Sequence, residues 1–132
     1  MALFSEGWKD PAVLRPVDEW DSRMQSEVEA EVLALMAAGR RSFIVDLDAV
    51  THLQWRILPG LVGLSRQVRQ LGGTFVLSAP SPYLLDILAA GDVPGEIPIY
   101  PSEASAAMGT FGASAASVLW QEGERERSGL GV

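Results

Sequence analysis

The sequence predicts a layered α/β domain, and three observations support this fold class. From Phe43 onward, short apolar runs of strand length alternate with segments whose apolar residues recur every three or four positions. Glycine, proline or serine stands at the junctions between these segments. Strands that alternate with helices in this way pack as a sheet covered by helices.

The first predicted elements are a pair of strands and a helix. Residues 2–8 and 12–17 are largely apolar or aromatic and flank Asp10-Pro11, a dipeptide that favours a turn. Ser22 and Gln25 then have the spacing of a capping box. We therefore expect a helix to begin at Ser22, with the serine hydroxyl as its cap.

The middle of the chain continues with a strand, a helix, a strand and a helix. Residues 43–47 are a nearly continuous apolar run, which is typical of an interior strand with both faces covered. A second helix is expected near Pro59, because proline is favoured in a first turn. Four residues form its expected buried stripe: Leu61, Leu64, Val68 and Leu71. Residues 74–78 are the next strand, and Ser81-Pro82 opens a short helix over residues 83–90.

The last strand and the last helix follow. Residues 97–100 have strand character, but Pro98 cannot donate to a ladder, so this strand is placed at an edge of the sheet. A final helix is expected to begin at Ser102, with helical spacing of apolar residues up to Leu119.

The pattern divides the chain into three parts. Residues 1–111 are predicted to form one domain, and residues 112–121 a helical extension of it. Residues 122–132 are charged and rich in glycine with little to bury, which predicts a disordered tail.

Composition excludes several classes of function. The 132 residues carry a net charge of -7 and Lys9 is the only lysine, which argues against binding to nucleic acid or to an anionic membrane. There is no cysteine and no apolar stretch of the roughly 20 residues that span a bilayer. The first residues lack the basic start and the long apolar core of a signal peptide, so we expect none. We expect a cytoplasmic protein that is not inserted into a membrane.

The loop at residues 54–57 is the candidate functional segment. We interpret the run from Ser42 to His52 as one buried strand that ends in this loop. The loop holds no nucleophile, acid–base group or metal ligand, whereas Trp55 and Arg56 are of the types most enriched at binding hot spots. This predicts a docking surface without catalytic residues, and not an enzyme.

Two other polar features have structural interpretations. Asp46 and Asp48 could be read as the acidic site of a receiver domain, but Lys9 does not lie where a receiver needs its lysine. We expect Asp46 to accept backbone amides at the end of its strand. His52 is the only histidine, so it cannot form a metal cluster or a catalytic triad and is expected to pack.

Four segments, in order and with their spacing, resemble one family. They are Phe43-Ile-Val-Asp-Leu-Asp-Ala-Val-Thr51, Leu71-Gly-Gly-Thr-Phe-Val-Leu77, Ser81-Pro-Tyr-Leu-Leu-Asp-Ile-Leu-Ala-Ala-Gly91 and Ile97-Pro-Ile-Tyr-Pro-Ser-Glu-Ala-Ser-Ala-Ala107. With Asp18-Glu-Trp-Asp-Ser22 upstream, residues 13–107 resemble a STAS domain, the fold of anti-sigma factor antagonists. The resemblance implies a mixed β-sheet of about five strands flanked by about four helices, working as a protein-interaction module in bacterial signalling.

The resemblance breaks at the loop. Members of the family that act as phosphorylation switches carry Asp-Ser-Ser-Gly after this strand, and a partner kinase modifies a serine there. This chain has Gln54-Trp-Arg-Ile57, so Trp55 and Arg56 stand where the two serines would be. We expect no phosphorylation at this position.

The expected partner is a protein, and no cofactor or metal is expected. It would be a regulatory protein, such as a kinase-like anti-sigma factor, or a second copy of the chain. Seven residues are predicted to bind it: Asp21, Gln54, Trp55, Arg56, Ile57, Pro59 and Arg66.

Three alternatives stay open for the loop and for the chain. Trp55 could fold back over the sheet while Arg56 pairs with Asp21, which would leave no docking surface. The chain could instead be a self-associating scaffold or an accessory subunit of a transporter complex, with contacts through its terminal helix and N-terminal hairpin. A nucleotide-binding regulatory domain is the third alternative, and it needs a polar pocket at the strand ends.

Overall fold

The computed structural model describes residues 3–109. Within these residues the strands are β1 (Leu3–Glu6), β2 (Ala12–Pro16), β3 (Asp18–Trp20), β4 (Ser42–Asp46), β5 (Val50–Leu53), β6 (Thr74–Ser78) and β7 (Ile99–Tyr100). The helices are α1 (Ser22–Ala37), α2 (Leu58–Gln70), α3 (Pro82–Ala90) and α4 (Glu103–Gly109). Short 3₁₀ turns lie at Trp55–Ile57 and Val93–Gly95.

The main sheet is mixed and has the order β1-β2-β4-β6-β7. β1 runs antiparallel to β2, as the predicted strand pair requires, and the other neighbours are parallel. The predicted α/β class, with about five strands and four helices, is confirmed. The short last strand lies at an edge, as Pro98 indicated.

Helices cover both faces of this sheet. Phe43 and Val45 of β4 point into a large core that also contains the buried residues of α1, α2 and α3. Ile44, between them, points to the opposite face and packs with Val76 and with Ala106 of α4. Alternate residues of β4 are thus buried on opposite sides, which confirms the interior position inferred from its continuous apolar run.

A second, two-stranded parallel sheet of β3 and β5 was not predicted. The run from Ser42 to His52 is not one strand, because β4 ends at Asp46 and the chain turns before β5. The turn is closed by a hydrogen bond of 3.0 Å from the Val50 N–H to the Leu47 carbonyl. Apolar residues flank the turn on both sides, so hydropathy alone could not locate it. The small sheet carries the chain away from the main sheet and toward α2.

The predicted capping box at the start of α1 is wrong. The cap is Asp21, whose carboxylate accepts a hydrogen bond of 2.9 Å from the Met24 N–H. The Gln25 side chain does not return to the cap but accepts a 3.0 Å bond from the indole of Trp20. A carboxylate also interacts favourably with the positive end of the helix dipole, which favours Asp21 over the Ser22 hydroxyl.

This difference gives a first prediction. Asp21→Ala should lower the free energy of unfolding by about 1 kcal/mol, because it removes the side-chain acceptor for the first turn. Ser22→Ala should stay within about 0.5 kcal/mol of the wild type, as an exposed substitution without a capping role. Urea unfolding of both variants measures the difference. A larger loss for Ser22→Ala than for Asp21→Ala would contradict the assignment.

Two further expectations need correction or fall outside the structure. Leu71 is 59% exposed, because α2 ends at Gln70 and Leu71 caps it, whereas the rest of the predicted stripe is buried. α4 begins at Glu103, one residue later than predicted. The predicted helical continuation to Leu119, the extension at residues 112–121 and the tail at residues 122–132 lie outside the described residues.

Candidate functional site

The loop before α2 is held by the small sheet. The Gln54 N–H donates to the carbonyl of Trp20 at 3.1 Å, and its side-chain amide donates to Glu19 at 3.2 Å. The Ile57 N–H then donates to the Gln54 carbonyl at 3.0 Å and closes the 3₁₀ turn. Both the main chain and the side chain of Gln54 therefore position this loop against β3.

The turn presents two side chains to solvent and buries the third. Trp55 is 75% exposed, and Arg56 is also exposed. Ile57 is only 3% exposed and packs in the main core, so its side chain is not available to a partner. A 3₁₀ turn has about three residues per turn, so adjacent side chains point in different directions.

The structure contradicts one of the alternatives for the loop. In that alternative Trp55 folds back over the sheet and Arg56 pairs with Asp21. The indole of Trp55 is largely in solvent. Within residues 3–109, Arg56 has no hydrogen bond or ion pair through its side chain, and the Asp21 carboxylate caps α1. Asp21 thus has a structural role as the cap of α1. Because Ile57 is buried and Asp21 caps the helix, we centre the docking surface on the other five predicted residues, and the predicted role of Asp21 in binding stays a prediction.

Trp55, Pro59 and Arg66 line a groove of about 710 Å³ between α2 and α3. Pro59 opens the first turn of α2, and Arg66 lies two turns further along the same helix. The remaining lining residues come from α2, from α3 and from the segment that follows α3: Leu58, Val62, Gly63, Ile87, Ala90, Gly91, Asp92 and Glu96. Three of the predicted partner-binding residues therefore share one concave surface.

Ion pairs occupy one wall of this groove. Arg66 bonds to the carboxylate of Glu96, and Arg69 lies 3.5 Å from the other oxygen of that carboxylate. The bond from Arg66 holds the pKa of Glu96 below its ordinary value. The pKa of Glu96 is therefore lower in the folded chain than in the unfolded chain. These contacts stabilise the fold at pH values above the ordinary carboxyl pKa, and the effect is lost as pH falls through the lowered pKa.

A second polar cluster lies at the carboxyl ends of β2 and β4. Arg15 pairs with Asp46 at 2.6 Å, with Glu6 at 2.5 Å and with Glu103. Bonding to Glu103 is the main cause that raises the pKa of Arg15. The three carboxylates thus share the guanidinium of Arg15, which links β2 to β1, β4 and α4. The cluster acts as a structural clamp in this arrangement.

Asp46 and His52 have the structural contacts expected of them. Asp46 accepts a backbone bond of 3.1 Å from the Asp48 N–H, as predicted for the end of its strand. His52 lies in β5, where its Nδ1 is 2.6 Å from the hydroxyl of Tyr83 and the two rings stack. In the part of the chain that the structure describes, no three histidine, aspartate or glutamate side chains come close enough to hold a metal ion.

Sequence reasoning missed the α3 side of the groove. Val62 lies three residues after Pro59 and four before Arg66, so helical spacing could have placed these residues on one face of α2. Ile87 and Asp92 gave no such signal, since nothing in the sequence states how far α3 lies from α2.

Comparison with known proteins places this geometry in a family. The family model for the STAS domain matches residues 6–106. The anti-sigma factor antagonist SpoIIAA in its unphosphorylated form superposes with a TM-score of 0.67 at 16% identity, over 80% of this chain and 92% of SpoIIAA. None of the curated proteins compared with the sequence matches it.

Two other solved structures give the same result. The Thermotoga maritima protein TM1081 has a TM-score of 0.66 at 18% identity, over 74% of this chain and 86% of its own. The phosphorylated form of the Bacillus cell-fate determinant SpoIIAA has a TM-score of 0.60 at 18% identity, over 80% of this chain and 96% of its own. At these identities the structures show the fold, while the family model matches more than half of the sequence. The chain belongs to the STAS domain family.

Proposed function

We propose that this STAS domain is a non-catalytic interaction module of bacterial signalling that binds a regulatory protein through Gln54, Trp55, Arg56, Pro59 and Arg66. The observation that carries the proposal is the exposure of Trp55 beside an arginine that has no partner within residues 3–109. Tryptophan and arginine are the residues most enriched among binding hot spots. The exposed indole leaves apolar area in water that burial against a partner would stabilise.

The same positions support an interaction that a kinase does not switch. SpoIIAA, which shares this fold, is an anti-sigma factor antagonist with an unphosphorylated and a phosphorylated form. In this chain the residues immediately before α2 are Trp55, Arg56 and Ile57, none of which has a hydroxyl group. Arg56 supplies a permanent positive charge there, opposite in sign to a phosphoryl group.

Capture of binding proteins from the native host tests this proposal. The full chain is used as bait in three forms: wild type, Trp55→Ala and Trp8→Ala. Trp8 is a matched control, because it is 73% exposed and lies in the β1–β2 connection, which contacts Leu35 and Arg40 at the C-terminal end of α1. We expect a protein that wild type and Trp8→Ala retain and that Trp55→Ala loses. The same retained proteins for all three baits would contradict the proposal.

Self-association is a second candidate, favoured by the apolar side chains of the N-terminal hairpin. β1 is an edge strand, and Phe4 on it is 58% exposed. Edge strands offer unpaired backbone groups to another chain. The mass of the full chain in concentrated solution decides this, since a monomer would exclude the scaffold.

A further inference from the structure

We propose that residues 110–120 of this chain pack against the half of the main sheet that β1 and β2 form, on the side that carries α4. The proposal goes beyond the docking function and does not rest on it, because Ile57 and α2 pack on the other side of the sheet. The exposed ring of Phe4 is the part of this surface that the segment would cover.

The pairing of β1 with β2 shows which side of the sheet Phe4 occupies. Phe4 lies opposite Arg15, and side chains that lie opposite each other on paired strands point to the same face. Arg15 pairs with Glu103 of α4. Val13, two residues before Arg15 and therefore on the same face, packs with Ala106 of α4. Phe4 thus lies on the side of the sheet that carries α4.

This face of the sheet is covered less completely than the other within residues 3–109. The helices α1, α2 and α3 all place their buried side chains in the core on the opposite face. On this face α4, a helix of seven residues, lies over β4, β6 and β7. Phe4, on the edge strand β1, keeps 58% of its surface in solvent. Its ring is apolar area that burial would stabilise.

The residues that follow α4 have the composition of a buried segment. No residue from 104 to 121 is charged, although 20% of the whole chain is charged. Residues 110–120 include four large apolar side chains: Phe111, Val118, Leu119 and Trp120. Residues 122–127 are then charged at every position except Gly123. The part of the sequence that favours burial therefore ends at Trp120, and the part that follows favours solvent.

The place where this segment begins determines which face it can cover. Gly109, the last residue of α4, is buried three positions after the buried Ala106, so the end of the helix lies against the sheet. Neighbouring strands are about 4.8 Å apart, so the five-stranded sheet is about 19 Å wide. Residues 110–120 can extend up to about 36 Å. They can therefore reach β1 directly, whereas the groove between α2 and α3 lies on the far side of the sheet.

The covalent connection favours this segment over a second copy of the chain. Phe4 and the edge strand β1 are also the features that would support self-association. A segment joined to its site by a short linker has an effective concentration of about millimolar. A second copy would have to exceed that concentration to compete equally, so we expect the contact to form within one chain.

A paramagnetic label on the full chain tests the proposal. The sequence has no cysteine, so Gln121→Cys provides a single site for a nitroxide next to Trp120. We expect the nitroxide to broaden the amide signals of β1 and β2 strongly, and those of α2 and α3 much less. Stronger broadening of α2 and α3 than of β1 and β2, or equal weak broadening of the whole domain, would overturn the proposal.

A mixed sample separates the two possible sources of the contact. Labelled chain without isotope enrichment is mixed with unlabelled, isotope-enriched chain, so that only contacts between copies broaden the observed signals. We expect no broadening of β1 and β2 in this sample. Broadening there as strong as in the labelled chain itself would assign the surface to a second copy and would overturn the proposal.

A pair of variants then locates the contact on Phe4. The indole N–H signal of Trp120 is identified by its loss in Trp120→Ala. Phe4→Ala should shift this signal, because it removes the ring that the indole would contact. Leu33→Ala is the matched control, since Leu33 is 43% exposed and lies on α1, on the other side of the sheet. We expect the control to leave the signal in place. No shift for Phe4→Ala, or equal shifts for both variants, would contradict the contact.

Discussion

Trp20→Ala is expected to lower the free energy of unfolding by about 3–5 kcal/mol, a large part of the stability of an ordinary domain. Trp20 is fully buried at the end of β3, where it packs in the main core. Its removal would leave a large cavity and deprive the buried Gln25 side chain of the indole N–H that it accepts at 3.0 Å. Both effects act in the same direction.

Urea unfolding measures this loss, as a lower midpoint at an unchanged slope. Trp20→Phe is the matched control, because it keeps most of the apolar volume while it removes the indole donor and a smaller part of the ring system. We expect it to cost about 1–3 kcal/mol, clearly less than the alanine variant. A loss below 1 kcal/mol for Trp20→Ala would show that β3 does not contribute to the core.

Gly73→Ala is expected to have the second largest effect, a loss of about 1–3 kcal/mol. A Cβ at this position would overlap the carbonyl oxygen of Arg41 and lie 2.8 Å from a methyl group of Val68. The Arg41 carbonyl accepts a 2.8 Å bond from the Thr74 N–H, where β4 and β6 begin. Since the obstacle is main chain, the strand itself must shift, and we expect a loss toward the upper end of the range.

Gly63→Ala is the matched control for that variant. It is the same chemical change, but it falls inside α2 at a site with open space around the new methyl group. Alanine is favoured over glycine in a helix interior by up to about 1 kcal/mol, so this variant should be more stable than wild type. Thermal unfolding of both variants measures the two changes in stability, which should have opposite signs. The same sign for both would contradict the placement of these glycines.

Much of the main sheet could be predicted from the sequence, because its elements have strong patterns. The strand at residues 74–78 and the short helix after Ser81 have the predicted bounds to within a residue. The small sheet could not be predicted in the same way. β3 has only three residues, two of them acidic, and it is a strand only because it pairs with β5. Pairing between distant segments leaves no periodic signal in so short a segment.

The candidate site was predictable in part. Residue type suggested that Trp55 and Arg56 matter, but whether a side chain points outward depends on the turn that carries it. The 3₁₀ turn exposes these two residues and buries Ile57, which the sequence placed on the same surface. The groove was not predictable, because it exists only through the distance between two helices that are 12 residues apart in the chain.

The affinity of the captured protein for Trp55→Ala tests the central claim most directly. The dissociation constant is measured by calorimetry for the full chain as wild type, Trp55→Ala and Trp8→Ala, after urea unfolding has shown equal stability. We predict that Trp55→Ala raises it more than tenfold, about 1.4 kcal/mol, and that Trp8→Ala leaves it unchanged. An unchanged dissociation constant for a folded Trp55→Ala protein would contradict the claim that this residue anchors the interface.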